Sequence, residues 1–180
     1  MEEAMNGPST EDLYEAICRA TEQVFATMLN MEIEPGAPIF EHDYTGRFDG
    51  VVSFVGMAGE WLGTGGLSCD AVFARRIAGS FLMMDFPTVD DDVLDAIGEL
   101  TNIIIGNVKG TIEQSVGPMA LSTPTCIVGH DLTARSLGRN RWTVIRFRCG
   151  EDKLDVMMYL IPRSPFDREV ESRRRMMVGS

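Results

Sequence analysis

The sequence predicts a two-layer α/β (α+β) sandwich, with long helices packed on a largely antiparallel sheet. Three observations carry this prediction. Apolar residues recur at helical spacing in three segments. Strand-like runs come in hairpin-linked groups rather than in strict strand–helix alternation. The 180 residues, 44% of them hydrophobic, suffice for one domain with a substantial core and hardly for two.

The elements follow in chain order. Residues 1–10 are polar and aperiodic, so a flexible tail is expected there. Ser9 or Thr10 can cap a helix whose first turn carries Glu11 and Asp12, where acids favour the positive end. Leu13, Ile17, Ala20, Val24 and Met28 then form one apolar stripe, so this helix should run to about Asn30. Glu32 to Gly50, with Pro35, Gly36 and Pro38, reads as a loop leading into an extended stretch. Val51 to Gly56 is β-branched, Gly59-Glu60 supplies a turn, and the Gly-rich run from Trp61 to Ser68 returns as the second arm of a hairpin. Asp70 opens a helix through Val72, Ile77, Phe81 and Leu82, ended by Pro87.

Thr88-Val89-Asp90-Asp91 resembles a capping-box start for a long helix reaching roughly Glu113, which Gly117-Pro118 breaks. Met119 to Val128, Arg141 to Cys149 and Lys153 to Ile161 are expected strands, the last two joined by a Gly-Glu-Asp turn. The domain should therefore span 11–163. Residues 164–180, with Arg173, Arg174 and Arg175, are expected to form a basic tail. Helices near 11–30 and 88–113 each precede strand hairpins, which hints at an internal duplication.

With 27 acidic and 16 basic residues, the net charge is −11. Such a surface repels nucleic acid and anionic lipid and suits a partner presenting a lysine. The N-terminus, Met1-Glu2-Glu3-Ala4, is acidic where a secretory leader would be basic, and no apolar run is long enough to span a bilayer. Cys18, Cys69, Cys126 and Cys149 are scattered, with no CxxC pair, and read as thiols of a cytoplasmic protein rather than zinc ligands. His42 and His130 offer little for a triad or a metal centre.

The chemistry is concentrated on the long helix. At 100° per residue, Leu94, Ile97, Leu100, Thr101, Ile104, Ile105, Val108 and Ile112 fall on one broad side, while Asp95, Glu99, Asn102, Gly106 and Lys109 fall opposite, within an arc of about 80°. Like charges at i and i+4, as in Asp95 and Glu99, repel by a few tenths of a kcal/mol, so local stability does not account for this face. Gly98, Gly106 and Gly110 lie on or beside it. They either allow another protein to approach the backbone or allow close packing within the fold.

The segment Asp95-Ala96-Ile97-Gly98-Glu99-Leu100-Thr101-Asn102-Ile103-Ile104-Ile105-Gly106-Asn107-Val108-Lys109 resembles the signature helix of the CheC/CheX chemotaxis phosphatases. Their pattern is Asp or Ser, three residues, Glu, two residues, Asn, and a Pro about twenty residues on. Asp95, Glu99, Asn102 and Pro124 match it. In outline the likeness covers most of 11–161. The N-terminal helix has Glu22-Gln23-Val24-Phe25, without the Asn, and the other Glu-x-x-Asn, Glu3 to Asn6, lies in the tail. One active face is thus expected, as in CheX-type members.

The resemblance implies a phosphatase acting on the aspartyl phosphate of a CheY-like response-regulator receiver domain. Asn102 would orient the attacking water, Glu99 would pair with the receiver's lysine, and Asp95 and Pro124 would support them. It implies no cofactor of the chain's own, Mg2+ in the partner receiver, and a homodimer joined by sheet edges, for which the strands at 141–149 and 153–161 are candidates. A non-catalytic adaptor that binds a receiver is the rival reading. A glycosidase-like pair of Asp95 and Glu99 is disfavoured, because such carboxylates face each other across a cleft.

Overall fold

The protein was described from a computed structural model, which covers residues 7–42, 45–135 and 140–164. Residues 1–6 of the expected N-terminal tail, Glu3 and Asn6 among them, and 165–180 of the expected C-terminal tail lie outside the described residues, whereas Ser9 and Thr10, counted with the tail, open the first helix. Three helices lie on one face of a seven-stranded antiparallel sheet. No helix among the described residues is long and apolar enough to cross a membrane.

Helix α1 (Thr10–Val24) begins with a reciprocal cap. The Ser9 hydroxyl accepts from the Asp12 N–H at 3.0 Å, and the Asp12 carboxylate accepts from the Ser9 N–H at 3.0 Å. The helix continues as a single π turn over Phe25–Leu29, closed by Asn30 in the left-handed region. The wider turn changes the phase of the apolar stripe. Phe25 and Leu29 are buried, whereas Met28, expected in the stripe, is exposed.

Strand β1 (Glu34–His42) occupies the stretch expected to be a loop, and β2 (Thr45–Gly59) starts six residues earlier than its β-branched run. The prolines misled because they are compatible with an edge. β1 is the outer strand of its side of the sheet, and its register with β6 slips between Pro35 and Pro38, where missing N–H groups do least harm. β2 and β3 (Trp61–Cys69) form the expected hairpin. Helix α2 (Ala71–Leu82) follows, capped by Asp70, with Phe73 and Ile77 buried but Val72 and Leu82 exposed.

Helix α3 (Asp91–Val116) is capped by Asp90, whose carboxylate accepts from the Val93 N–H at 3.0 Å. The run from Met119 to Val128 is not one strand. It divides into β4 (Met119–Leu121) and β5 (Thr125–Arg135), which lie end to end beside β2 and are separated by Ser122-Thr123-Pro124. β5 continues past the expected strand end at Val128 as far as Arg135; residues 136–139 are outside the described set. β6 (Arg141–Cys149) and β7 (Asp152–Pro162) complete the sheet.

The strand order is β1-β6-β7-β3-β2, with β4 and β5 together on the far side of β2. β6 and β7 are therefore interior strands, each hydrogen-bonded on both sides, and neither offers an edge for a dimer. The order reads the same from either end when β1, β2 and β3 are exchanged with β5, β6 and β7. The suspected duplication is thus visible in the topology. Each outer strand pairs with the other half: β1 with β6, and β5 with β2.

The core lies between helices and sheet and contains Ile17, Phe25, Leu67, Phe73, Ile97, Leu100, Ile104, Ile105 and Phe147. Helix α3 can approach the sheet closely because β3 has Gly65 beneath it. A Cβ at Gly65 would sit 2.6 Å from Ile105 Cδ1 and 2.9 Å from its Cγ1. A smaller apolar cluster on the opposite face joins Phe48, Val52, Trp142, Val144 and Met157.

Candidate functional site

Helix α3 has one buried side, as its periodicity requires. Val93, Ile97, Leu100, Thr101, Ile104, Ile105, Val108 and Ile112 are all buried. Asp95 and Glu99 are exposed and Asn102 is half-buried. The three lie on successive turns of one convex face, so they project towards a common partner. None of them takes part in a hydrogen bond or ion pair among the described residues, and the carboxylates and amide are free to engage one. Leu94, placed on the core side from the sequence, is only half-buried.

The face is bordered on one side by the chain from Met119 to Cys126, which runs along α3. Lys109 is committed to this border: its ammonium donates to Glu113 Oε1 at 2.6 Å and to the Met119 carbonyl at 3.0 Å. The Lys109 hydrogen bond, helped by the Met119 N–H, holds the Glu113 carboxyl below its ordinary value. Farther along, Ser122 exchanges two hydrogen bonds with Gly56, each 2.9 Å long, and the Cys126 thiol donates to the Leu94 carbonyl at 3.3 Å. Pro124 sits between these anchors, beside the first turns of α3.

Gly98 belongs to this border rather than to the open face. It is buried, and a Cβ there would lie 3.2 Å from Cys126 Sγ and 3.3 Å from Pro124 Cγ. The glycine lets the Pro124 segment lie against the helix, one residue before Glu99. A Cβ at Gly106 would meet only Leu121, at an ordinary 3.6 Å, and one at Gly110 would meet nothing within 4 Å. The three glycines thus have different roles, which helical periodicity alone does not separate.

The opposite border is a furrow of about 310 Å³ between α1 and α3, lined by Arg19, Ala20, Gln23, Gly106, Asn107 and Gly110. Sequence patterning missed it, because it arises only when the two helices pack together. No group of three or more His, Cys, Asp or Glu among the described residues is placed to hold a metal. His130 lies at the surface with Nδ1 2.6 Å from Asp49 Oδ1, and His42 is exposed. Cys18, Cys69 and Cys149 are buried free thiols, and burial pushes Cys69 far above the ordinary thiol range.

The profile of the family described as chemotaxis phosphatase CheX matches residues 51–148, which include all of α3 and Pro124. No curated protein shows significant similarity over the chain. Among solved structures, a CheC-like superfamily protein from Shewanella sp. PV-4 superposes with a TM-score of 0.76 at 22% identity, covering 85% of this chain and 99% of that one. A chemotaxis protein CheX from Vibrio vulnificus gives 0.75 at 22% identity, covering 83% and 99%. The CheX of a CheX–CheY–BeF3–Mg2+ complex from Borrelia burgdorferi gives 0.71 at 23% identity, covering 82% and 97%. At these identities the superpositions establish a shared fold.

Proposed function

The chain belongs to the CheX chemotaxis phosphatase family, and from that premise we propose that it hydrolyses the aspartyl phosphate of a CheY-like receiver domain. The observation that carries this reading is the placement of Asp95, Glu99 and Asn102 on one exposed face of α3, without partners in the fold. The crystallised association of a Borrelia relative with CheY supports the choice of partner.

An aspartyl phosphate is an acyl phosphate, and the receiver's own Mg2+ supplies charge neutralisation. The phosphatase therefore needs only to dock and to hold a water molecule in line. Asn102 serves this role. Its amide oxygen accepts a hydrogen bond from the water and its NH2 group donates another, with no added charge beside the phosphoryl dianion. Water oxygen bonds to phosphorus as the bond to the aspartyl oxygen breaks. Both water protons end on the phosphate, giving a free carboxylate and H2PO4⁻.

Glu99, one turn from Asn102, pairs with the receiver's lysine and sets the register of the two proteins. Asp95 extends the acidic rim. Pro124, backed by Gly98, holds the chain that walls the site. Glu99→Lys is expected to raise KM for phosphorylated receiver by roughly tenfold or more while kcat changes little, because it converts an attraction into a repulsion. Steady-state kinetics at two ionic strengths checks this; equal KM values would remove Glu99 from docking.

The homodimer is proposed to form along β5. This strand has 11 residues, pairs only with β2 among the described residues, and exposes Ile127 and Val128 at successive positions, one on each face of the sheet. The other outer strand, β1, carries two prolines and a register slip that oppose further pairing. Val128→Lys should yield a monomer in sedimentation velocity; a persistent dimer would exclude this edge.

The test of the activity itself is phosphate release from a panel of receivers phosphorylated with a small-molecule donor. Acceleration by the wild-type chain supports the phosphatase. Binding without acceleration supports the adaptor, and neither would overturn both.

A further inference from the structure

The furrow between α1 and α3 adjoins the Glu99–Asn102 face and has a single cation on its wall. Gly106, which lines it, is one helical turn beyond Asn102, about 6 Å along the axis. The furrow and the proposed docking face are therefore one continuous surface. Arg19 stands on its α1 wall with Gln23 one turn along, and Asn107 faces them from α3.

Arg19 has carboxylates within reach on its own helix, Glu15 one turn before it and Glu22 one turn after. Pairing at such spacing would contribute a few tenths of a kcal/mol. Yet Arg19 joins none of the ion pairs formed among the described residues, nor any hydrogen bond there. Arg19 is exposed, and besides this furrow it borders a neighbouring depression with Asp12 and Glu15, so its guanidinium is accessible to a partner's carboxylate.

The furrow is also open for reasons the fold does not impose. Substituting a larger residue at Gly110 would meet no atom within 4 Å at the Cβ position, and at Gly106 only an ordinary contact. Each glycine in a helix costs about 1 kcal/mol relative to Ala. The fold thus bears that cost without using the space.

We propose that this furrow is a second contact for the same receiver domain, with Arg19 binding an acidic side chain of the receiver next to its phosphorylation site. This rests on the phosphatase reading above. A single Glu99–lysine pair fixes one point and leaves the receiver free to swivel about it. An acid on one side of Asn102 and a cation on the other require a partner with the opposite pair, and two such points fix orientation. Orientation is what placing water in line demands. Arg19 is accordingly a positioning and specificity residue, not a catalytic one, and it selects receivers that carry a carboxylate at the matching place.

The test compares wild type, Arg19→Glu and Gly110→Gln on the phosphorylated receiver that the wild type turns over fastest. Both variants should raise KM, by about fivefold or more for the charge reversal, and should also lower kcat at saturation, because a receiver held at one point places water in line less often. Gly110→Gln puts a good helix former in the helix, so its melting temperature should equal or exceed that of wild type, and a higher KM cannot then be ascribed to misfolding. Reversing the matching receiver carboxylate to lysine should restore the KM of Arg19→Glu. If the wild type accelerates dephosphorylation and both variants match its KM, the furrow contact is overturned while the phosphatase stands. If the wild type accelerates no receiver and binds none, both readings fall together.

Discussion

Asn102→Ala is expected to lower receiver dephosphorylation by at least about a hundredfold, the scale on which misplacing a reactant acts, while receiver affinity stays within a few-fold of wild type. The reason is local. Asn102 is half-buried on the outer face of α3 and makes no hydrogen bond within the described fold, so its truncation leaves no orphaned partner. Stability should therefore be nearly unchanged, and the loss should appear in kcat.

Asn102→Asp separates shape from charge at the same position. The aspartate is nearly isosteric but brings a negative charge towards a phosphoryl dianion and cannot donate a hydrogen bond when ionised. It should fail about as badly as alanine at neutral pH. Rapid-quench measurement of phosphate release, alongside binding to the phosphorylated receiver, reads both quantities. Turnover within twofold of wild type for either variant would end the water-orienting role of Asn102.

The second large effect is expected far from that side chain. Gly65→Val should lower the melting temperature by roughly 5–10 °C, from an overpacking cost of about 1–3 kcal/mol. Valine is the better strand former, so propensity alone predicts the opposite sign. The decisive contact is with Ile105, whose side chain fills the space a Cβ would need and is itself fully buried. Raising α3 from the sheet also moves Glu99 and Asn102 relative to the Pro124 wall, so kcat should fall together with stability.

Ile105→Ala in the Gly65→Val background should recover part of the lost stability, since the two residues contend for the same volume. A calorimetric series of the two single variants and the double variant measures this coupling. Strict additivity would show that Gly65 does not set the seat of the helix.

The helices and the hairpins were legible in the sequence because each leaves a local periodic trace. Ser9 or Thr10 and the run Thr88 to Asp91 marked helix starts, which lie at Ser9 and Asp90, and the alternation of polar and apolar faces along α3 placed Asp95, Glu99 and Asn102 together on its outer side. β1 was not legible. Pro35 and Pro38 argue against a strand in general but not against an outer strand with a register slip, and its position in the sheet depends on β6, more than a hundred residues away. The break at Pro124 was hidden for a similar reason, since β4 and β5 share one neighbour, β2.

Along α3 the limits of periodicity are plain. A helical wheel sets Gly98 beside the acids, but the chain that folds over it from Pro124 to Cys126 decides that it is buried. The furrow at Arg19 has no trace in either helix taken alone. Both depend on contacts between distant segments, for which one sequence carries no direct signal.

The exchange of outer strands between the two halves has a consequence for how the chain matures on the ribosome. The first half makes α1, β1, β2 and β3, but β1 has no neighbour until β6 is made, and β2 lacks β5 on one side. An emerging polypeptide that ends near residue 90 therefore holds open edges and an uncovered apolar layer, a species prone to aggregate. Closure must wait for nearly the whole domain, and pairings this remote in sequence close slowly. Interlocking of this kind makes the domain an all-or-none unit: a nascent half has no resting state of its own.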